Sequence, residues 1–186
     1  MGNNIVVFWG SPRKDGYSHT VASELIRGVE SGGGKVKTYD LNDPGFRGCQ
    51  GCFHCREHEA CIIQDMLQPF YSEVDGVSGI VIASPIYFGD ISGQAKKWLD
   101  RMFPMLDGKA LAPRHPGKRV VSIFAQGDAN AERFLPAANR LHGFLHAFGW
   151  TVEDTLVCAG SGSDEFTVSQ PLMEQAFKAG EKLAGS

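Results

Sequence analysis

Residues 5–34, "IVVFWGSPRKDGYSHTVASELIRGVESGGG", decide the fold. Ile5 to Trp9 form an unbroken apolar run, the pattern of a strand covered on both faces. "GSPRKDGYS" interrupts that run. From Ser18 to Ser31, Val21, Ala22, Leu25, Ile26 and Val29 then recur at helical spacing. Gly32, Gly33 and Gly34 stop the helix, because glycine accepts the left-handed backbone of a helix end. A doubly buried strand feeding a helix is the first half of a βαβ unit, and it predicts a parallel sheet.

The alternation continues outward from this unit. Strands are expected at Val36–Leu41, Gly79–Ser84, Lys118–Ala125 and Thr151–Cys158. Helices are expected at Asp65–Glu73 with Asp65 as cap, Ile91–Met105, Glu132–Phe148 and Val168–Ala184. Five strands alternating with helices predict an α/β, doubly wound parallel sheet covered on both faces. No repeat, low-complexity tract or linker divides the chain, so residues 1–186 read as one domain.

Composition narrows the function classes. A net charge of −3 gives no electrostatic case for nucleic acid or an anionic membrane surface. No apolar run approaches the roughly 20 residues that span a bilayer. The first residues lack the pattern of a secretory signal, so the protein reads as cytoplasmic, where structural disulfides are rare.

Doubly wound sheets bind ligands beyond the carboxyl ends of their strands, which singles out three loops. Gly10–Thr20 lacks a dinucleotide or P-loop fingerprint. It offers the hydroxyls of Ser11, Ser18 and Thr20, the Arg13 guanidinium and a helix N-terminus, the donors a terminal phosphate needs. Ser84–Asp90, "SPIYFGD", sets Tyr87 and Phe88 beside a turn made by Pro85 and Gly89, which suits a flat ligand. Ala125–Asn130 is small and polar. Together the loops describe a mononucleotide with a phosphate at one end and a planar ring at the other.

A fourth segment is longer than an ordinary connection. Residues 42–64 hold four of the five cysteines: Cys49, Cys52, Cys55 and Cys61. With His58 they fall three apart, so on an α-helix they would not share a face, and the segment should wrap around what it binds. An iron–sulfur cluster, zinc held with or without His58, a redox-active pair and free thiols all remain open on these residues. Cys158, at a strand end with no partner nearby, reads as core. His115, His142 and His146 show no metal pattern.

"GSPRK", the cysteine run and "IASPIYFGDISGQAKKWLDR" (82–101) resemble the NAD(P)H-dependent FMN reductases of the flavodoxin-like group, in particular their iron–sulfur flavoprotein branch. The resemblance implies strand order 2-1-3-4-5 with FMN at the switch point. It implies Ser11, Arg13 and Ser18 on the FMN phosphate, with His19 and Thr20 nearby. Pro85, Ile86, Tyr87, Phe88 and Gly89 would lie along the isoalloxazine, and Gln126, Gly127 and Asp128 would stand where relatives carry a glycine pair. Tyr17 replaces an asparagine common in the first loop. The resemblance further implies a 4Fe-4S cluster on Cys49, Cys52, Cys55 and Cys61, NAD(P)H as co-substrate, a flavin, quinone or protein acceptor, and a homodimer or homotetramer. The rival is a non-enzymatic flavodoxin-like redox sensor or zinc-binding protein.

Overall fold

The computed structural model describes residues 3–163 and 165–185. In chain order it contains β1 (Asn4–Trp9), α1 (Tyr17–Ser31), β2 (Lys35–Asp40), α2 (Gln68–Glu73), β3 (Gly79–Tyr87), β4 (Asp90–Ile91), α3 (Gly93–Asp100), β5 (Arg119–Gln126), α4 (Leu135–Ala147), β6 (Thr151–Ala159) and α5 (Gln170–Ala184). Parallel pairing links β2-β1-β3-β5-β6, and β4 pairs antiparallel with the end of β3.

The sheet thus has six strands rather than the expected five, and its order is 2-1-3-5-6 rather than 2-1-3-4-5. The reason is local. β3 continues past Ser84 to Tyr87, then folds back through Phe88 and Gly89, whose φ values of 50° and 80° are both positive. A two-residue loop with two left-handed residues is the tight turn that matches the twist of paired strands. Asp90 and Ile91 therefore become a short extra strand instead of opening the next helix.

Proline explains most of the shifted helix boundaries. Pro69, Pro136 and Pro171 all occupy the first turn of their helices, where a missing N–H leaves no bond unmade. α2, α4 and α5 consequently begin two or three residues later than the hydrophobic spacing suggested. At the other end of α3, Pro104 sits in a separate one-turn 3-10 segment, Phe103–Met105, so the helix stops at Asp100.

Alternate residues of β1 feed two core layers. Val6 and Phe8 pack with Phe70, Trp98 and Leu141 on the side of α2, α3 and α4. Ile5, Val7 and Trp9 pack with Leu25 of α1 and Leu183 of α5. The sheet order reverses between β1 and β3, so the connections leaving their carboxyl ends diverge and open a crevice there.

Candidate functional site

β1 ends at Trp9, and Gly10 lies directly against β3, its N–H donating to Ala83 O at 2.7 Å. A Cβ at Gly10 would stand 2.9 Å from that same oxygen, so only glycine keeps the loop this close. Ser11 Oγ accepts from Arg13 N at 3.1 Å and curls the loop toward α1. α1 starts behind Gly16 with no side-chain cap and no acidic residue in its first turn, which leaves its positive end to an external anion.

Beneath this loop lies a buried serine network. Ser92 Oγ donates to Gly10 O at 2.6 Å and accepts from Ala95 N at 3.1 Å, capping α3. Ser92 N in turn donates to Ser84 Oγ at 3.0 Å. The first loop, the end of β3 and the start of α3 are thereby locked together.

A cavity of about 400 Å³ opens at this point. Ser11, Arg13 and Ser18 line it from the first loop, Pro85, Ile86 and Tyr87 from the end of β3, and Gly127 from the loop after β5. The structure brings these seven candidates together around one cavity. The other six cofactor candidates do not line it. His19 stacks on Trp9 with centroids 3.6 Å apart, and burial lowers its pKa against the opposing pull of Asp40 and Asp15. Thr20 Oγ1 donates to Gly16 O at 3.4 Å. Phe88 and Gly89 form the β3–β4 turn, with the Phe88 ring fully exposed. Buried Gln126 shapes the third loop by donating to Asp128 O and Asn130 O at 3.2 and 2.7 Å. Asp128 accepts from Asn130 N at 2.8 Å through its own side chain.

Asp15, Gly16, Tyr17, Ala125 and Ser161 line the cavity without having been singled out as ligands. Tyr17 donates to Phe166 O at 3.2 Å, with the two rings edge to face. Ser161 Oγ donates to Gln126 O at 2.8 Å, joining the loop after β6 to the loop after β5. The signal for Ser161 was its Gly/Ser-rich loop at the carboxyl end of the last strand, a position the strand-end rule covers.

The residues present fit FMN on these observations: an uncapped helix start with hydroxyls and a guanidinium at one end, and Pro85, Ile86 and Tyr87 at the other.

The cysteine segment is irregular, with only a three-residue 3-10 turn at His54–Arg56. Cys49 and Cys52 are exposed, Cys55 is half-buried and Cys61 is buried. Burial raises the Cys55 pKa, and the charges of Cys61, Cys49 and Cys52 act in the same direction. His58 uses Nδ1 to bond His54 O at 2.9 Å, and the two imidazoles stack. Among the described residues no three His, Cys, Asp or Glu side chains converge into a group that would hold a metal ion. The donor set therefore suits thiolate-bound metal in kind, while the loop as it stands does not assemble it. Cys158 is core, and burial pushes its thiol up to about 11.

The family model for NADPH-dependent FMN reductase matches residues 3–148. An iron–sulfur flavoprotein of Methanocaldococcus jannaschii is 30% identical over 118 residues, covering 63% of this chain and 61% of its own length. One from Archaeoglobus fulgidus is 25% identical over 175 residues, covering 94% of this chain and 76% of its own. In fold, the chain resembles an NAD(P)H:quinone oxidoreductase from Methanothermobacter marburgensis, with a TM-score of 0.77 at 16% identity over 97% of this chain and 95% of that one. An FMN-dependent NADH-azoreductase from Bacillus anthracis, solved with FMN, gives a TM-score of 0.67 at 13% identity over 99% and 100%. No described helix is long and apolar enough to cross a membrane. With the family model spanning the sheet from β1 to the end of α4, the chain belongs to the NADPH-dependent FMN reductase family of oxidoreductases.

Proposed function

We propose that the protein binds FMN in the β1–β3 crevice and uses it to pass electrons from NAD(P)H to a small-molecule or protein acceptor, a quinone or free flavin among them. The observation that carries this reading is the cavity lined at one end by Ser11, Arg13 and Ser18 and at the other by Pro85, Ile86 and Tyr87. When bound, FMN supplies the hydride chemistry, so the protein's share is binding, orientation and exclusion of water. Arg13 and the start of α1 hold the phosphate, and the locked serine network keeps that loop at a fixed distance from the end of β3. Tyr87, half exposed at the cavity, bounds the ring and leaves one face open to the nicotinamide.

In this reading the four-cysteine loop holds a thiolate-bound iron–sulfur cluster, 4Fe-4S by its ligand count, once the loop draws Cys49, Cys52 and Cys55 onto Cys61. The relatives' name supports it, together with the four cysteines carried by one short loop. The working unit is a homodimer or homotetramer. Exposed Phe53, Phe88 and Leu111 are among the apolar side chains such an assembly would cover.

The test is an anaerobic preparation assayed for flavin, iron, sulfide and zinc, followed by NADH and NADPH oxidation with ferricyanide or a quinone. One FMN and about four irons per chain with turnover supports the whole reading. FMN without iron removes the cluster and leaves the reductase. A colourless protein that fails to take up FMN sinks both and favours the zinc or thiol-sensor alternative.

A further inference from the structure

The buried pair Arg101–Asp65 stands apart from the cavity, and the flavin chemistry has no use for it. Arg101 is 1% exposed, and Nη1 lies 2.7 Å from Asp65 Oδ2. Arg101 Nη1 also donates to Arg47 O at 2.6 Å, and Nη2 donates to Asp65 Oδ1 at 3.2 Å and Ile63 O at 3.4 Å. Asp65 accepts in addition from the backbone N–H groups of Arg47 and Leu67 at 3.2 and 3.1 Å. Arg47 precedes the first thiol of the loop by two residues, and Ile63 follows the last by two. One guanidinium thus joins the two ends of the cysteine segment.

The rest of the same helix face holds the incoming chain. Gln94 Nε2 donates to Asn42 Oδ1 at 3.0 Å, and Lys97 Nζ donates to Phe46 O at 3.2 Å. Residues 94, 97 and 101, spaced three and four apart, form one stripe. At the other end of α3, Ser92 is bonded to Gly10 O and Ser84, each one residue before a residue that lines the cavity, Ser11 and Pro85. α3 is eight residues long, about 12 Å at helical rise, and spans the distance between the two sites.

We infer that Arg101, fixed by Asp65, is the positioning residue of the cysteine loop, setting Cys49 and Cys61 in register with each other and with the flavin cavity through α3. A buried ion pair is a poor device for stability alone, since well-packed apolar residues usually do as well. Its value here is directional: a fork that fits two carbonyls from distant points of the chain.

The inference rests on the loop being the second redox site, and the test separates the two. The double variant Arg101→Met/Asp65→Leu removes both charges together, so neither is left unpaired in the core. Arg101→Lys keeps the charge but has no fork. Reduced protein is treated with iodoacetamide and each cysteine is followed by peptide mass. Cys61 is expected to react at least tenfold faster in the double variant, and severalfold faster in Arg101→Lys. Buried Cys158 and bound FMN stay unchanged. On anaerobic reconstitution the double variant is expected to retain severalfold less iron than wild type at equal flavin content. Unchanged Cys61 reactivity in either folded variant overturns the inference, as does acceleration of Cys158 alongside Cys61, which would mark general loosening. If wild type takes up no iron, the cluster reading fails and the alkylation result still decides the role of Arg101.

Discussion

Arg13 is exposed at the cavity wall, where its charge is free to follow a phosphate, and no carboxylate among the described residues is paired with it. A hydrogen bond to a charged group is worth about 1.5–3 kcal/mol, so Arg13→Ala should weaken FMN binding by about 10- to 100-fold. Quenching of flavin fluorescence on titration measures it, and an unchanged Kd would remove Arg13 from the site. Arg101 presents the opposite case. Arg101→Met alone strands a buried carboxylate and should cost about 3–5 kcal/mol in urea unfolding, whereas the double variant with Asp65→Leu should stay near wild type. As members of the cavity lining, Ser11, Arg13 and Ser18 were legible, because polar donors beside a helix start mark the loop that faces a ligand crevice. His19 was not, because its ring found Trp9, a partner that becomes adjacent only when α1 packs beside β1. Asp65 read as a helix cap from its local pattern, but a charge thirty-six residues away claims it.

Between elements, the tightest contact is the crossing of α1 and α5. A Cβ at Gly28 would lie 2.0 Å from Phe177 O, and one at Gly180 would lie 2.0 Å from Leu25 O. Both are backbone atoms that do not yield to a rotamer change. Gly28→Ala or Gly180→Ala should therefore destabilise by about 3 kcal/mol, the upper end of ordinary overpacking. Gly143, on the exposed face of α4 with nothing near its would-be Cβ, should instead gain up to about 1 kcal/mol as alanine. Denaturant midpoints of the three variants give the comparison directly.

The packing of α4 on β5 also carries a pH dependence. His142 Nε2 lies 3.0 Å from Ser122 Oγ, and burial, with the nearby His146, holds the His142 pKa below its ordinary 6.5. The unfolded chain then binds a proton that the folded chain resists. Stability should be complete above about pH 6.5 and fall as pH descends below it. His142→Gln should flatten the change in urea midpoint between pH 7.5 and 5.5, without abolishing it, because His19 is shifted in the same direction. Element types were readable from periodicity. Their starts were displaced wherever proline took the first helical turn, since spacing reports which side is buried and not where the first hydrogen bond closes.

Across the whole molecule, a ligand that binds only the folded chain raises stability by mass action. FMN at 100 times its Kd should add about 2.7 kcal/mol, which for a chain of this size is a melting shift of about 5–11 °C. A thermal scan of FMN-free protein with and without added FMN reads it, and a shift below about 1–2 °C would show that the folded chain does not bind FMN at these concentrations.

The sequence by itself determined the doubly wound sheet, the loops at its carboxyl edge and the cysteine segment, because burial period and loop chemistry are local properties written every few residues. Only the tertiary structure decided the exclusion of His19, Thr20, Phe88, Gly89, Gln126 and Asp128 from the cavity wall, and the inclusion of Ser161. It alone joined Arg47, Ile63 and Asp65 to Arg101. Those contacts link residues tens of positions apart, and no local period encodes which side chains meet once the layers close.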